Sequence, residues 1–124
     1  MATVAIGKAD FQSTVEAGGI VLVDFWAGWC GPCRTFAPVF EAAAAKHEDI
    51  VFAKVDTEAE QELAGGLGIM SIPTLMAFRD GVLLYAQPGA LPSASLEELI
   101  GKVRALDMDS VRSQLAARTA AASS

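Results

Sequence analysis

Two cysteines stand two residues apart in Trp29-Cys30-Gly31-Pro32-Cys33, and the 124-residue chain has no others. A pair at this spacing admits four chemistries. As a structural staple it closes a loop of a few residues, for which the loop-entropy relation gives about 2 kcal/mol at best. That is little for a chain large enough to bury a core unaided. A zinc centre needs about four ligands, but no third cysteine exists. The single histidine, His47, lies roughly 21 Å beyond Cys33 if the intervening helix is straight. The same separation counts against a Cys–His hydrolase, whose base must touch the thiol. Redox exchange is the fourth chemistry. A Cys-x-x-Cys that follows a buried strand and opens a helix puts both sulfurs at the positive end of the helix dipole, which favours thiolate. Cys30 is then expected as the exposed nucleophile. Cys33, one turn in, is expected to be shielded and to resolve the mixed disulfide. His47 reads as a partly buried helix-end residue whose charge suits the C-terminal dipole.

The elements that must position this pair alternate in type. Residues 3–6 read as a short strand and 10–17 as a helix with Phe11 and Val15 on one face. After Gly18-Gly19, residues 20–26 are almost unbroken apolar sequence, the mark of a strand buried on both faces. A helix is expected over 33–47, with Pro32 at its start, Pro38 kinking its interior, and Phe36, Phe40, Ala43, Ala44 and His47 on one stripe. Residues 50–56 form the next strand. Thr57 with Glu60 has the capping-box pattern for a helix carrying Leu63 and Leu67. Strands over 74–79 and 82–87 are joined by Asp80-Gly81, a hairpin signal. Ser95 with Glu98 repeats the capping box ahead of Leu96, Leu99, Ile100, Val103 and Leu106. The order β-α-β-α-β-α-β-β-α predicts an α/β sandwich with one hairpin edge.

One domain is expected over 1–107, with 108–124 as an extension. In the extension Met108, Val111 and Leu115 recur at helical spacing behind Asp107 as N-cap. This predicts a marginal extra helix, with the last few Ala and Ser residues disordered. Apolar residues are 52 % of the chain, charged residues 19 %, and the formal net charge is −6. That balance speaks against nucleic acid or an anionic membrane as the main partner, since both attract basic surfaces. No apolar run reaches the roughly 18 residues of a membrane span, and the start lacks a secretory pattern. A cytoplasmic location is expected, where a disulfide is more often catalytic than structural.

The segment Val21-Leu22-Val23-Asp24-Phe25-Trp26-Ala27 before the cysteine motif resembles the active-site segment of the thioredoxin family, bacterial members above all. The resemblance continues through Ala37-Pro38, Ala53-Lys54-Val55-Asp56, Gly68-Ile69, Ser71-Ile72-Pro73-Thr74 and Gly89-Ala90, covering about residues 3–106 in register. It implies a central five-stranded mixed sheet flanked by four helices. It also implies a monomer without bound cofactor that reduces protein disulfides and is itself re-reduced by an NADPH-dependent thioredoxin reductase. Pro73 matches the family's cis-proline facing the cysteines; taken alone it reads as a proline at a strand start. Trp29, Gly31, Pro32, Ile72, Pro73, Gly89 and Ala90 would form a flat docking surface. Gly28, Met70 and Pro88 depart from the common pattern; Gly28 predicts a looser turn before Trp29. These departures bear on partner choice.

Asp24 interrupts an apolar strand with Leu22 and Trp26 on its own face, so its pKa is expected to rise. It reads either as a strand-end Asp bonded to backbone N–H groups or as the general base and acid for Cys33. Lys54, mid-strand in Val51-Phe52-Ala53-Lys54-Val55, is placed to pair with Asp24 or to snorkel to solvent. Two rivals to a reductase remain. One is an oxidase or isomerase of the same fold, which Gly31-Pro32 disfavours because neither side chain stabilises a free thiolate. The other is a binding module in which redox chemistry is incidental.

Overall fold

The computed structural model describes residues 2–122. Its strands are β1 (Thr3–Ala5), β2 (Ile20–Trp26), β3 (Val51–Asp56), β4 (Thr74–Arg79) and β5 (Val82–Pro88), and its helices are α1 (Phe11–Glu16), α2 (Gly31–Lys46), α3 (Gln61–Gly66), α4 (Ser93–Ala105) and α5 (Met108–Ala122). The strands form one sheet in the order β1-β3-β2-β4-β5. β1, β3 and β2 run parallel, while β4 and β5 are antiparallel to their neighbours. This is the mixed five-stranded sheet that the family resemblance implies.

β2 lies at the centre and all but its last residue is buried. Its alternating side chains feed two cores. Leu22 joins Phe36, Phe40, Phe52, Leu96 and Ile100 on the face covered by α2 and α4. Val21, Val23 and Phe25 join Phe11, Val15 and Val55 on the face of α1 and α3. Phe40 meets Phe52 edge-on, with ring centroids 5.1 Å apart, a favoured aromatic geometry. The hairpin forms at Asp80-Gly81, both with positive φ (53° and 81°), as a type I′ turn requires. At the end of β4, Arg79 Nη1 lies 3.0, 3.2 and 2.9 Å from the carbonyl oxygens of Val103, Arg104 and Leu106. It thereby serves carbonyl oxygens at the end of α4, where acceptors outnumber backbone donors; Val103 also accepts the Leu106 N–H at 3.4 Å.

Both expected capping boxes are absent. Thr57 donates its hydroxyl to the Trp26 carbonyl at 3.0 Å, and the Glu60 carboxylate accepts the Lys8 N–H at 2.8 Å. Long-range partners have captured both side chains, and α3 starts only at Gln61 without a side-chain cap. A Cβ on Gly7 would meet that Glu60 carboxyl group at 2.7 Å, so a side chain there would displace the carboxylate from the Lys8 N–H. α4 starts at Ser93 behind Pro92, which leaves Ser95 inside the helix instead of capping it. Leu106 is exposed because the chain turns extended at that residue.

α2 runs through Pro38 without interruption. At its far end His47 Nδ1 lies 3.1 Å from Arg104 Nη2 and Nε2 lies 2.7 Å from Glu97 Oε1. A guanidinium can only donate, so the ring's proton belongs on Nε2. α5 has Asp107 as its cap, accepting from the N–H groups of Asp109 and Ser110. Met108 is buried, Val111 half-buried and Leu115 exposed. Ala120 to Ala122 are helical, contrary to the disorder expected of them. Ser123 and Ser124, to which the same expectation applied, lie outside the described residues. No helix among the described residues is long and apolar enough to cross a membrane.

Candidate redox site

The site is built where β2 ends. After Trp26 the chain turns through Ala27-Gly28-Trp29, and the Cys30 N–H bonds back to the Ala27 carbonyl at 3.2 Å. Cys30 is the N-cap of α2 in an extended conformation, and its sulfur accepts the Cys33 N–H at 3.1 Å. Helix N-caps are usually Ser, Thr, Asp or Asn because one side-chain acceptor must reach the first turn; here sulfur takes that place. Gly31 and Pro32 open the helix. Cys30 and Cys33 are joined as a disulfide with their Cα atoms 5.2 Å apart.

Both cysteines are buried, 4 % and 3 % exposed. The expected contrast between an exposed Cys30 and a shielded Cys33 is therefore absent in the disulfide form. Ala27, Trp26 and Ile72 close over the pair. What remains open is the rim, where Trp29 is 67 % and Met70 94 % exposed.

The Ile72–Pro73 peptide is cis. The Ile72 carbonyl oxygen lies 3.7 Å from Cys30 Sγ. The Pro73 carbonyl accepts the Gly89 N–H at 2.8 Å, and Gly89 has φ +110°, a conformation that glycine tolerates. Ile72, Pro73 and Gly89 are thus tied into one loop cluster against the disulfide, with Gly31, Pro32 and Ala90 exposed beside it. Pro88 ends the edge strand opposite Thr74, where a missing N–H is tolerated.

Asp24 is fully buried, 0 % exposed, and neither carboxylate oxygen has a hydrogen-bond partner among the described residues. Loss of solvation pushes its pKa up to about 6, against an opposing pull from the Lys54 charge. Asp24 and Lys54 are register partners on β2 and β3, so their side chains share a face. They do not form the contact pair that the sequence suggests. The Lys54 ammonium sits over the Trp26 ring, 5.3 Å from its centroid, and acts on Asp24 through its field.

Two contacts escaped sequence reading. Arg34 Nη1 donates to the Gly28 carbonyl at 2.7 Å, so the turn before Trp29 is tied down where a looser one was expected. The Trp29 indole N–H donates to Glu58 Oε1. The distance along the chain hides the second pair; the first is local, but an arginine beside a cysteine gives no signal of its partner. Among the described residues no group of three or more His, Cys, Asp or Glu could hold a metal ion.

The Thioredoxin family model matches residues 2–102. A Streptomyces coelicolor relative that carries the name putative thioredoxin 2 is 55 % identical over 120 residues, spanning 97 % of this chain and 90 % of its own. Bacillus subtilis thioredoxin is 44 % identical over 101 residues, 79 % of this chain and 97 % of its own. Among solved structures, a mutant thioredoxin from Halobacterium salinarum superposes with a TM-score of 0.76 at 32 % identity, covering 85 % of this chain and 92 % of that one. Family model, relatives and fold agree with the disulfide at the head of α2: the chain belongs to the thioredoxin family and is a thiol–disulfide oxidoreductase.

Proposed function

We propose that the protein works as a cytoplasmic disulfide reductase, with Cys30 attacking and Cys33 resolving, and that an NADPH-dependent thioredoxin reductase restores the dithiol. The observation that carries this reading is the setting of the Cys30 sulfur. It lies at a helix N-terminus, receives one backbone N–H, and faces the Ile72 carbonyl at the cis-proline loop. Helix dipole and N–H both favour a thiolate at Cys30. That thiolate attacks one sulfur of a substrate disulfide, forming a mixed disulfide and releasing the first substrate thiolate. Cys33 then loses its proton and attacks Cys30 Sγ. The Cys30–Cys33 bond forms, the second substrate thiolate leaves, and two electrons have passed to the substrate.

Asp24 is the proton acceptor for Cys33 in the second step. It lies on the β2 face that meets α2, and a carboxylate titrating near 6 suits proton exchange at neutral pH. Lys54 tunes it by charge. Trp29, Gly31, Pro32, Ile72, Pro73, Gly89 and Ala90 form the docking rim. The chemistry resides in residues 1–107, and 108–124 is an appendage to it. Reduction is favoured over oxidation because the Gly31 and Pro32 side chains offer the free thiolate no donor or cation.

The test couples insulin-disulfide reduction to NADPH and thioredoxin reductase. Wild-type protein should turn over. Cys30→Ser should abolish attack, and Cys33→Ser should accumulate reductant-sensitive mixed disulfides. Normal turnover by Cys33→Ser, or trapping by Cys30→Ser, would contradict the assignment of the two sulfurs.

A further inference from the structure

The chain has nine Lys and Arg residues against fifteen Asp and Glu. Five of the nine are held in ion pairs: Lys8, Lys46, Lys102, Arg104 and Arg112. Arg79 is occupied by the end of α4. Two of the remaining cations, Arg34 and Lys54, line a single crevice of about 250 Å³ whose wall includes Cys33. Its other walls are Trp26, Ala27, Gly28 and Ala37, with no carboxylate among them. Behind Trp26 and Lys54 a second crevice carries Glu41, Asp56 and Glu60. Among the described residues none of these acids forms an ion pair with Lys54. In an acidic molecule two cations that form no ion pair among the described residues thus line one crevice beside the redox pair, with the buried Asp24 feeling the charge of one of them.

We propose that this crevice is a carboxylate subsite, taking one acidic side chain of the polypeptide being reduced between the Lys54 ammonium and the Arg34 guanidinium. The inference rests on the disulfide-exchange reading above. The size of the crevice argues for a side chain, since pockets for whole small molecules run from about 300 to 1,000 Å³. Its openness to water argues the same way. A free carboxylate gains little from solvated cations, whereas one tethered through a mixed disulfide at Cys30 is held at an effective concentration on the order of millimolar. Arg34 presents further N–H donors beside the one given to the Gly28 carbonyl, and guanidinium geometry suits a carboxylate. The consequence is selection among substrates by an acidic residue near the attacked cysteine.

The test uses reduced full-length protein and two synthetic disulfide peptides, identical except for Glu or Gln two residues from the attacked cysteine. At low salt the Glu peptide should be reduced about two- to fivefold faster. The ratio should fall towards one at about 0.5 M salt, because the screening length drops to a few Å. Arg34→Gln and Lys54→Gln should each lower the ratio and the double variant should abolish it. Arg112→Gln, on α5, should keep it. Lys54→Gln is expected to slow both peptides, so the ratio is the readout. The salt series on wild type tests the idea even if a variant folds poorly. Acetate at about 10 mM should leave the ratio unchanged; competition at that level would mean capture of free anions and would overturn the tethered subsite. Equal rates for the two peptides, or a preference that survives in the double variant, would also overturn it while leaving the reductase reading intact. Reduction of neither peptide would refute that reading and this proposal together.

Discussion

Asp24 is where a single residue sets stability against chemistry. Burial raises its pKa from 3.8 to about 6, so the folded protein favours the neutral acid. That relative stabilisation is complete below the unfolded value near 3.8 and is lost as pH rises through 6. At 1.36 kcal/mol per unit the ionised group holds back about 3 kcal/mol at neutral pH. Asp24→Asn removes the charge and keeps the shape. The oxidised variant should unfold at higher denaturant at pH 8, by about 1–3 kcal/mol, because the buried amide still lacks partners. At pH 3 the two proteins should unfold together. With Asp24 in the proposed role of proton acceptor for Cys33, the same variant should release substrate about tenfold more slowly. Unfolding curves at both pH values with unchanged m decide the first point, and single-turnover kinetics the second. Of this residue the sequence already shows the burial, because a carboxylate interrupts an apolar strand. It does not show that Lys54 stands off over Trp26, since the reach of a long side chain is decided by packing across strands.

At the scale of elements, what was readable depended on whether the partners were local. Asp80-Gly81 announces its turn because the conformation of those two residues makes it. Thr57-Glu60 and Ser95-Glu98 carry capping signatures that fail, the first because Trp26 and Lys8 offer competing partners, the second because Pro92 starts the helix early. The end of α4 was illegible for the same reason: its cap comes from Arg79, on a different strand. Arg79→Met keeps most of the aliphatic stem and removes the donors. It should cost about 1–3 kcal/mol, read as a lower thermal midpoint, with reductase activity at 25 °C unchanged within about twofold. A loss of activity without a loss of stability would place Arg79 in the chemistry.

For the whole molecule, the contrast is between the body that carries the cysteine pair and α5, which touches it through the buried Met108. The cysteine pair was legible because spacing, buried strand and helix start lie within one short segment. The Arg34–Lys54 crevice was not, because it exists only once α2 is laid across β3. The extension is shared with the Streptomyces relative, whose match runs over 97 % of this chain. It is anchored by Met108 and otherwise largely exposed. Removing residues 109–124 should therefore leave insulin reduction within about twofold, while a larger loss would reveal a part for α5 in docking. The order of the strands has a consequence in time. β2 is hydrogen-bonded on both sides, to β3 and to β4, and its amides should exchange with solvent only when the whole domain opens. The loop that carries Cys30 springs directly from this strand, and Asp24 lies within it. The reactive geometry is thus clamped to the slowest-opening part of the chain, and the motions that admit a partner are left to the rim.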